Sequence, residues 1–331
     1  MKLLVLGGTA FVGRAVVDEA RTRGHAITVF NRGHHPPPPG TTGLTGDRRA
    51  PDGLTALTGG AWDLVVDTWS GRPTAVRDAA RALTGHAGHY TYVSSRSVYA
   101  DHDIFPLTEE APVVEASPDS DDETNYAAAK RGAELAAEQN FAGPVLHARA
   151  GLILGPHENI GRLPWWLNRL ARGGPTLAPG PHDLKLQYID ARDLATWLLD
   201  AAEQGRQGAY DVVSPPGHTT MGELLETINT VTGGHADLRW TDPKTILDAG
   251  IKPWMDLPIW LAPGYEHDFM HGSDVTKALR TGLKNRPITE TVADTWTWLQ
   301  KIGGTAPQRP DRTPVGLDPD REAALLARTP E

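Results

Sequence analysis

Val5-Leu6-Gly7-Gly8-Thr9-Ala10-Phe11-Val12-Gly13 is the stretch whose reading decides the fold. The apolar run Leu3–Leu6 reads as a buried strand. Phe11 to about Arg23 reads as a helix closed by Gly24. A glycine-rich turn between a strand and a helix points backbone N–H groups and the positive helix end at one place. That arrangement suits a pyrophosphate, and with it a dinucleotide. Ala10 replaces the middle glycine of a GxxGxxG spacing, and its small Cβ leaves the close approach open. Gly7, Thr9, Ala10, Phe11, Val12 and Gly13 are the first candidate cofactor contacts.

The rest of the first half keeps the same rhythm. Ala26–Phe30, Asp63–Val66, Tyr90–Val93 and Val145–Ala148 read as strands. Thr74–Leu83 and the alanine-rich stretch from Asn125 to about Gln139 read as helices. Alternating strands and helices predict an α/β fold, a Rossmann-type doubly wound parallel sheet. A smaller, mostly helical C-terminal substrate domain follows, rich in tryptophans that read as packing anchors. Ala209–Val213 reads as the last strand returning to the sheet. The expected division is residues 1–155 and 184–215 for dinucleotide binding, and 156–183 and 216–331 for substrate.

Composition narrows the function. The chain has 331 residues, a formal net charge of −9 and no cysteine. Disulfides, thiolate metal sites and cysteine nucleophiles are excluded. No basic stripe is visible, so nucleic acid and membrane surfaces are not expected partners. No apolar run approaches the ~20 residues of a membrane span. A cytoplasmic location is the expectation. His34-His35-Pro36-Pro37-Pro38-Pro39 reads as a surface loop rather than a metal site, and no metal is expected. Residues 101–124 form a long acidic stretch, either a solvated loop or a lid.

Three further segments carry chemistry. After the second strand stands Asn31-Arg32-Gly33, where a carboxylate would grip the ribose 2′-hydroxyl of NAD. Without that carboxylate a 2′-phosphate is not repelled, and the Arg32 guanidinium can pair with it. NADP(H) is favoured, with NAD(H) the alternative. Asp47-Arg48 lies where a loop after the third strand reaches the adenine, Asp47 as acceptor and Arg48 to stack or add charge. Tyr126 and Lys130 are four apart and share one helix face. An ammonium beside a phenol favours phenolate, so the pair suits proton transfer. A hydroxyl from Ser94-Ser95, at the end of another apolar run, can hold a carbonyl or carbinol oxygen opposite it.

As a set these residues resemble the extended branch of the short-chain dehydrogenase/reductase superfamily, the NAD-dependent epimerase/dehydratase family. The matching segments are Val5–Gly13, Tyr92–Tyr99, Tyr126-x-x-x-Lys130, Gly155-Pro156 and Tyr188–Ala195, and the likeness covers residues 1 to about 215. The Gly-Gly-Thr-x-Phe-x-Gly-Arg opening resembles a reductase-like subgroup. The resemblance implies a catalytic set of Ser95, Tyr126 and Lys130, with Ser94 the second choice for the serine. Lys130 would bind the nicotinamide ribose, Tyr126 would move the proton and Ser95 would bond the same oxygen. Asp67 and Thr68 join the candidate cofactor contacts. Trp69, Arg96, Asn159, Trp165 and Gln187 are the candidate substrate contacts, with Trp166 as a further pocket wall.

Family members acting on sugar nucleotides hold the diphosphate with arginines that this chain lacks at the matching places. Leu186 or Gln187 stands at one, and Ala262-Pro263-Gly264-Tyr265 at the other, with Lys185 or Arg162 as the alternative cations. A smaller substrate is expected, and the acidic stretch before Tyr126 favours a neutral or cationic one. The leading expectation is NADPH-dependent reduction of a small ketone, aldehyde or imine. An epimerase or dehydratase that retains NAD is the alternative. A non-catalytic dinucleotide sensor or RNA-binding protein is the third. The resemblance also implies a homodimer through Thr74–Leu83 and Asn125–Gln139, with a monomer as the other outcome.

Overall fold

The structure is a computed structural model that describes residues 1–101 and 104–328. Parts of the acidic stretch 101–124 and of the region 216–331 considered above therefore lie outside the described residues. The chain divides into two compact units. The first holds residues 1–151, 191–213 and 274–284; the second holds 152–190, 214–273 and 285–331.

Seven parallel strands make the sheet of the first unit. They are β1 (Lys2–Leu6), β2 (Ala26–Asn31), β3 (Thr42–Thr45), β4 (Trp62–Asp67), β5 (Ala87–Ser95), β6 (Val145–Ala150) and the strand Gly208–Val212. Across the sheet the order is Gly208–Val212, β6, β5, β4, β1, β2, β3. Leu3, Leu4, Val5 and Leu6 are all buried. A continuous apolar run is what a parallel strand covered on both faces requires. Successive side chains point to opposite faces, so one face takes Leu4, Leu6, Tyr90 and Tyr92. These pack with Val76, Ala79 and Leu83 of α2 (Pro73–Leu83) and with Ala133, Ala136 and Ala137 of α3 (Tyr126–Asn140). The small residues of α3 permit close approach. A Cβ on Gly132 would lie 2.5 Å from the Ser117 carbonyl oxygen and 2.7 Å from Pro73.

Helix α1 (Phe11–Thr22) packs against the helix Ala191–Glu203. Residues 274–284 fall in this unit, not in the substrate region assigned from sequence. Lys277 Nζ donates to the Ala209 carbonyl at 2.6 Å, and Trp197 Nε1 donates to Thr281 Oγ1 at 3.1 Å. Those bonds attach the segment to the last strand.

The strand order reverses at β1, with β2 on one side and β4 on the other. All strands run parallel, so their carboxyl ends share one edge. Register places Leu6 beside Phe30 and Asp67, and Asp67 beside Tyr92. In open α/β sheets this edge, at the point of reversal, is where ligands bind.

The second unit is not wholly helical. Gly174–Pro179 pairs in parallel with Ala236–Thr241. Helices Arg162–Ala171, Met221–Thr232 and Ile288–Lys301 surround a core with Trp166 and Trp260 fully buried. Their indole N–H groups donate to the carbonyls of Pro258 at 2.7 Å and Gly180 at 3.0 Å, so these tryptophans are packing anchors. Residues 184–190 belong here rather than with the dinucleotide unit, because Ile189–Asp190 pairs with Ile153–Leu154. Among the described residues no helix is long and apolar enough to cross a membrane.

Candidate active site

The turn after β1 is built from glycines that no other residue replaces without strain. Gly7 has φ +122° and Gly8 has φ +85°. A Cβ on Gly13 would lie 2.4 Å from the Gly8 nitrogen, so only glycine lets α1 approach the turn this closely. Ala10 precedes α1 with extended backbone and no side-chain cap. The first N–H groups of a helix have no partner within it. Gly7, Thr9, Ala10, Phe11, Val12 and Gly13 are the residues that could hold a pyrophosphate at such a turn. Thr68 Oγ1 donates to the Leu6 carbonyl at 3.0 Å, which ties the end of β4 to this turn.

At the end of β2, Asn31 Oδ1 accepts from the Gly33 N–H at 2.7 Å and shapes the turn that carries Arg32. Arg32 is exposed there. Asp47 accepts from the Arg49 N–H at 2.9 Å. Arg48 and Asp67 depart from the expectation. Arg48 is buried and donates two bonds to Asp67, at 2.7 and 2.8 Å, and two to the Ala75 carbonyl, at 2.9 and 3.3 Å. Burial pulls the Arg48 pKa down; the charge and hydrogen bonds of Asp67 outweigh it and hold the guanidinium firmly protonated. Asp67 is fully buried and also accepts from the Tyr90 hydroxyl and the Trp69 N–H. The two are an interior ion pair, not dinucleotide contacts, because each uses its polar edge on the other.

Asn125 caps α3 through Oδ1, which accepts from the Ala128 N–H, and Tyr126 opens the helix. One turn on, Lys130 is buried. Its Nζ donates to the carbonyls of Trp69 at 2.7 Å and Val93 at 2.8 Å and lies 4.7 Å from the centre of the Tyr92 ring. The helix face carrying Tyr126 and Lys130 is thus tied to the ends of β4 and β5. The structure separates the two serines. Ser94 is buried and donates to Glu134 at 2.7 Å. Ser95 is partly exposed at the last position of β5, and its Oγ accepts from the Ser97 N–H at 3.2 Å. Ser95 is the serine at the open edge. The two carbonyls holding Lys130 had no sequence signal, since any residue supplies one.

The acidic stretch before Tyr126 is not a free negative surface. Asp119 pairs with Arg77 at 2.7 Å, Asp121 with Arg72 at 3.5 Å and Glu123 with Arg49 at 2.6 Å. The Thr74 N–H donates to the Ser120 carbonyl. These three carboxylates are matched by arginines, which weakens the argument for a neutral or cationic substrate. The Trp69 ring lies 4.9 Å from the Arg48 guanidinium and 5.5 Å from that of Arg49, and its Nε1 donates to the Arg72 carbonyl. Arg96 is buried with Nε 3.8 Å from Asp211, so its charge faces the interior rather than a substrate. Burial lowers its pKa, and the Asp211 charge opposes that.

The other candidates lie in the second unit. Gln187 is fully buried; its amide donates to the carbonyls of Ser214 and Ser273 and accepts from the Ser273 N–H at 2.8 Å. It is a structural tie, not a substrate contact, because both ends of its amide are engaged. Trp165 packs edge-on against Trp166 at 4.7 Å. The Asn159 carbonyl accepts from the Arg309 N–H.

Comparison with known proteins agrees with this frame. The model of the NAD dependent epimerase/dehydratase family matches residues 70–213. Over that span the chain is similar to this family. It is 28% identical over 216 residues to the chloroplast stem-loop binding protein of 41 kDa b of Arabidopsis thaliana, covering 60% of this chain and 54% of that protein. It is 29% identical over 219 residues to the 2-alkyl-3-oxoalkanoate reductase of Stenotrophomonas maltophilia (strain K279a), covering 60% of this chain and 64% of that one. The matches thus take in less than two thirds of either relative. The fold is that of the UDP-N-acetylglucosamine 4-epimerase from Bacillus cereus, with TM-score 0.68, 18% identity, and 92% and 97% of the two chains covered.

Proposed function

We propose that the chain is an NADPH-dependent reductase of a ketone, with an aldehyde or imine as the related substrates. Ser95, Tyr126 and Lys130 are its catalytic set. The observation that carries this reading is the arrangement at the sheet edge. Ser95 ends β5 with its side chain partly exposed, while Lys130 of α3 is bonded to Val93, two residues earlier on the same strand. Tyr126, one turn before Lys130, shares its helix face. When bound, the nicotinamide supplies the hydride. The protein's share is to orient and to move one proton. Ser95 Oγ donates to the substrate oxygen. Tyr126 gives its hydroxyl proton to that oxygen as negative charge develops there. The Lys130 ammonium stabilises the phenolate left behind.

Arg32 supports NADP(H) over NAD(H), as an exposed guanidinium at the end of β2 with no carboxylate beside it at positions 31 or 33. The reductase named among the relatives acts, by its name, on a 3-oxo acid, and this supports a ketone as the substrate class. We further propose a cytoplasmic protein that dimerises through α2 and α3. Titration of NADPH and NADH against nicotinamide fluorescence tests the cofactor assignment. The expected result is at least tenfold tighter binding of NADPH, lost in Arg32→Ala. A tenfold preference for NADH overturns it. The epimerase fold likeness favours a second reading, an epimerase or dehydratase that retains NAD and consumes none of it. Mass analysis of denatured protein that finds stoichiometric NAD would select it. A salt-sensitive gel shift with RNA would select a role like the one in the name of the chloroplast relative.

A further inference from the structure

Glu134 lies on α3 one turn beyond Lys130 and is fully buried. It accepts from Ser94 Oγ at 2.7 Å, from Arg149 Nε at 2.9 Å and Nη2 at 3.0 Å, and from Arg131 Nη1 at 2.8 Å. Ser94 and Arg149 sit directly opposite each other on β5 and β6. One carboxylate therefore bonds two neighbouring strands to one helix. Its buried neighbours on α3 are Ala129, Gly132, Ala133, Ala136 and Ala137, which offer no polar side chain, and Lys130, whose ammonium grips β5 at Val93. Arg149 continues the network through the Tyr99 hydroxyl at 3.3 Å, which donates to Asp211 at 2.6 Å.

The register of these bonds matters. Lys130 bonds Val93 and Glu134 bonds Ser94, consecutive residues of β5, and Ser95 is the next. Apolar packing of alanines resists sliding only weakly, because small side chains make shallow ridges. A bidentate guanidinium–carboxylate contact fixes both distance and direction. We propose that Glu134, through Ser94 and Arg149, is the positioning residue that sets the slide and rotation of α3 on β5, and thereby the aim of Tyr126 and Lys130 at Ser95. Ser94, the alternative catalytic serine by sequence, is assigned to this support. The proposal rests on the catalytic reading of Ser95, Tyr126 and Lys130.

Two variants of the full chain test it, Ser94→Ala and Glu134→Gln. Ser94→Ala removes one bond and leaves the ion pair with Arg149, so it keeps the protein folded. With a ketone that the wild type reduces, kcat falls about tenfold in each variant. The dinucleotide Kd, set by contacts at the turn after β1, stays within twofold. Bound NADPH also loses at least half of its fluorescence enhancement, which reports how the nicotinamide is held. Unchanged kcat and unchanged emission with only a lower melting midpoint overturn the proposal and leave a structural tie. If the wild type binds NADPH but reduces no ketone, aldehyde or imine, the reductase reading fails, and the emission arm still decides the positioning role. A wild type that binds neither dinucleotide removes both.

Discussion

Arg48→Met separates two readings of one residue. In the sequence Arg48 reads as a dinucleotide contact; in the structure it is half of a buried ion pair with Asp67. Methionine keeps much of the volume and removes the charge. Asp67, with no exposed surface, then keeps its bonds from Tyr90 and the Trp69 N–H and loses its two strongest donors. Removing one partner of a buried pair typically costs about 3–5 kcal/mol, because the other charge is left uncompensated. That is about two to nearly four orders of magnitude in the folded-to-unfolded ratio. Urea unfolding, with amide exchange in β4 and β5 to report the first unit by itself, measures the loss. The expected result is a loss in that range, with little change in dinucleotide affinity for the protein that remains folded. A loss under about 1 kcal/mol together with a tenfold or greater weakening of NADPH binding would refute the assignment and restore Arg48 as a ligand.

Two further outcomes follow from single positions. Gly13→Ala places a Cβ 2.4 Å from the Gly8 nitrogen, so the turn must shift; overpacking should cost about 1–3 kcal/mol, and calorimetry should find dinucleotide binding weakened at least tenfold. Glu134 predicts an acid limb. Burial raises its pKa, but the hydrogen bonds and charge of Arg149 outweigh that and bring it from 4.5 to about 2. Between those values the unfolded chain binds the proton first, so this contribution is full above about pH 4.5 and lost as pH falls through 2. At 1.36 kcal/mol per unit it amounts to roughly 3 kcal/mol. Glu134→Gln should flatten that part of the stability–pH curve, and an unchanged slope would show that the pair does not form.

Much of the first unit was legible because its sequence and structural demands coincide. Leu3–Leu6 is apolar at every position, as a central parallel strand must be, and the glycines mark a turn that a side chain would block. The alanines of α3 announced a closely packed helix. What escaped was the direction in which polar side chains face. Arg48 and Asp67 stand near a ligand edge, and a charge there looks like a contact until its partner is known. A signal was present: Asp67 ends the run Trp62-Asp63-Leu64-Val65-Val66, and Glu134 interrupts a face of small residues. A charge in either setting needs a partner inside. In the second unit the pair Gly174–Pro179 and Ala236–Thr241 was missed. Pro175 and Pro179 break any strand pattern in the first, and the partner strand lies some sixty residues away, beyond any local pattern.

The central claim is that Tyr126 moves a proton at a nicotinamide-dependent site completed by Ser95 and Lys130. The direct test is NADPH oxidation by the wild type and Tyr126→Phe across a series of 3-oxo acid esters and simpler ketones. The account predicts turnover by the wild type and a loss of about 10²- to 10⁴-fold in kcat for the variant, with NADPH affinity little changed. A variant that keeps kcat within threefold of the wild type would contradict it.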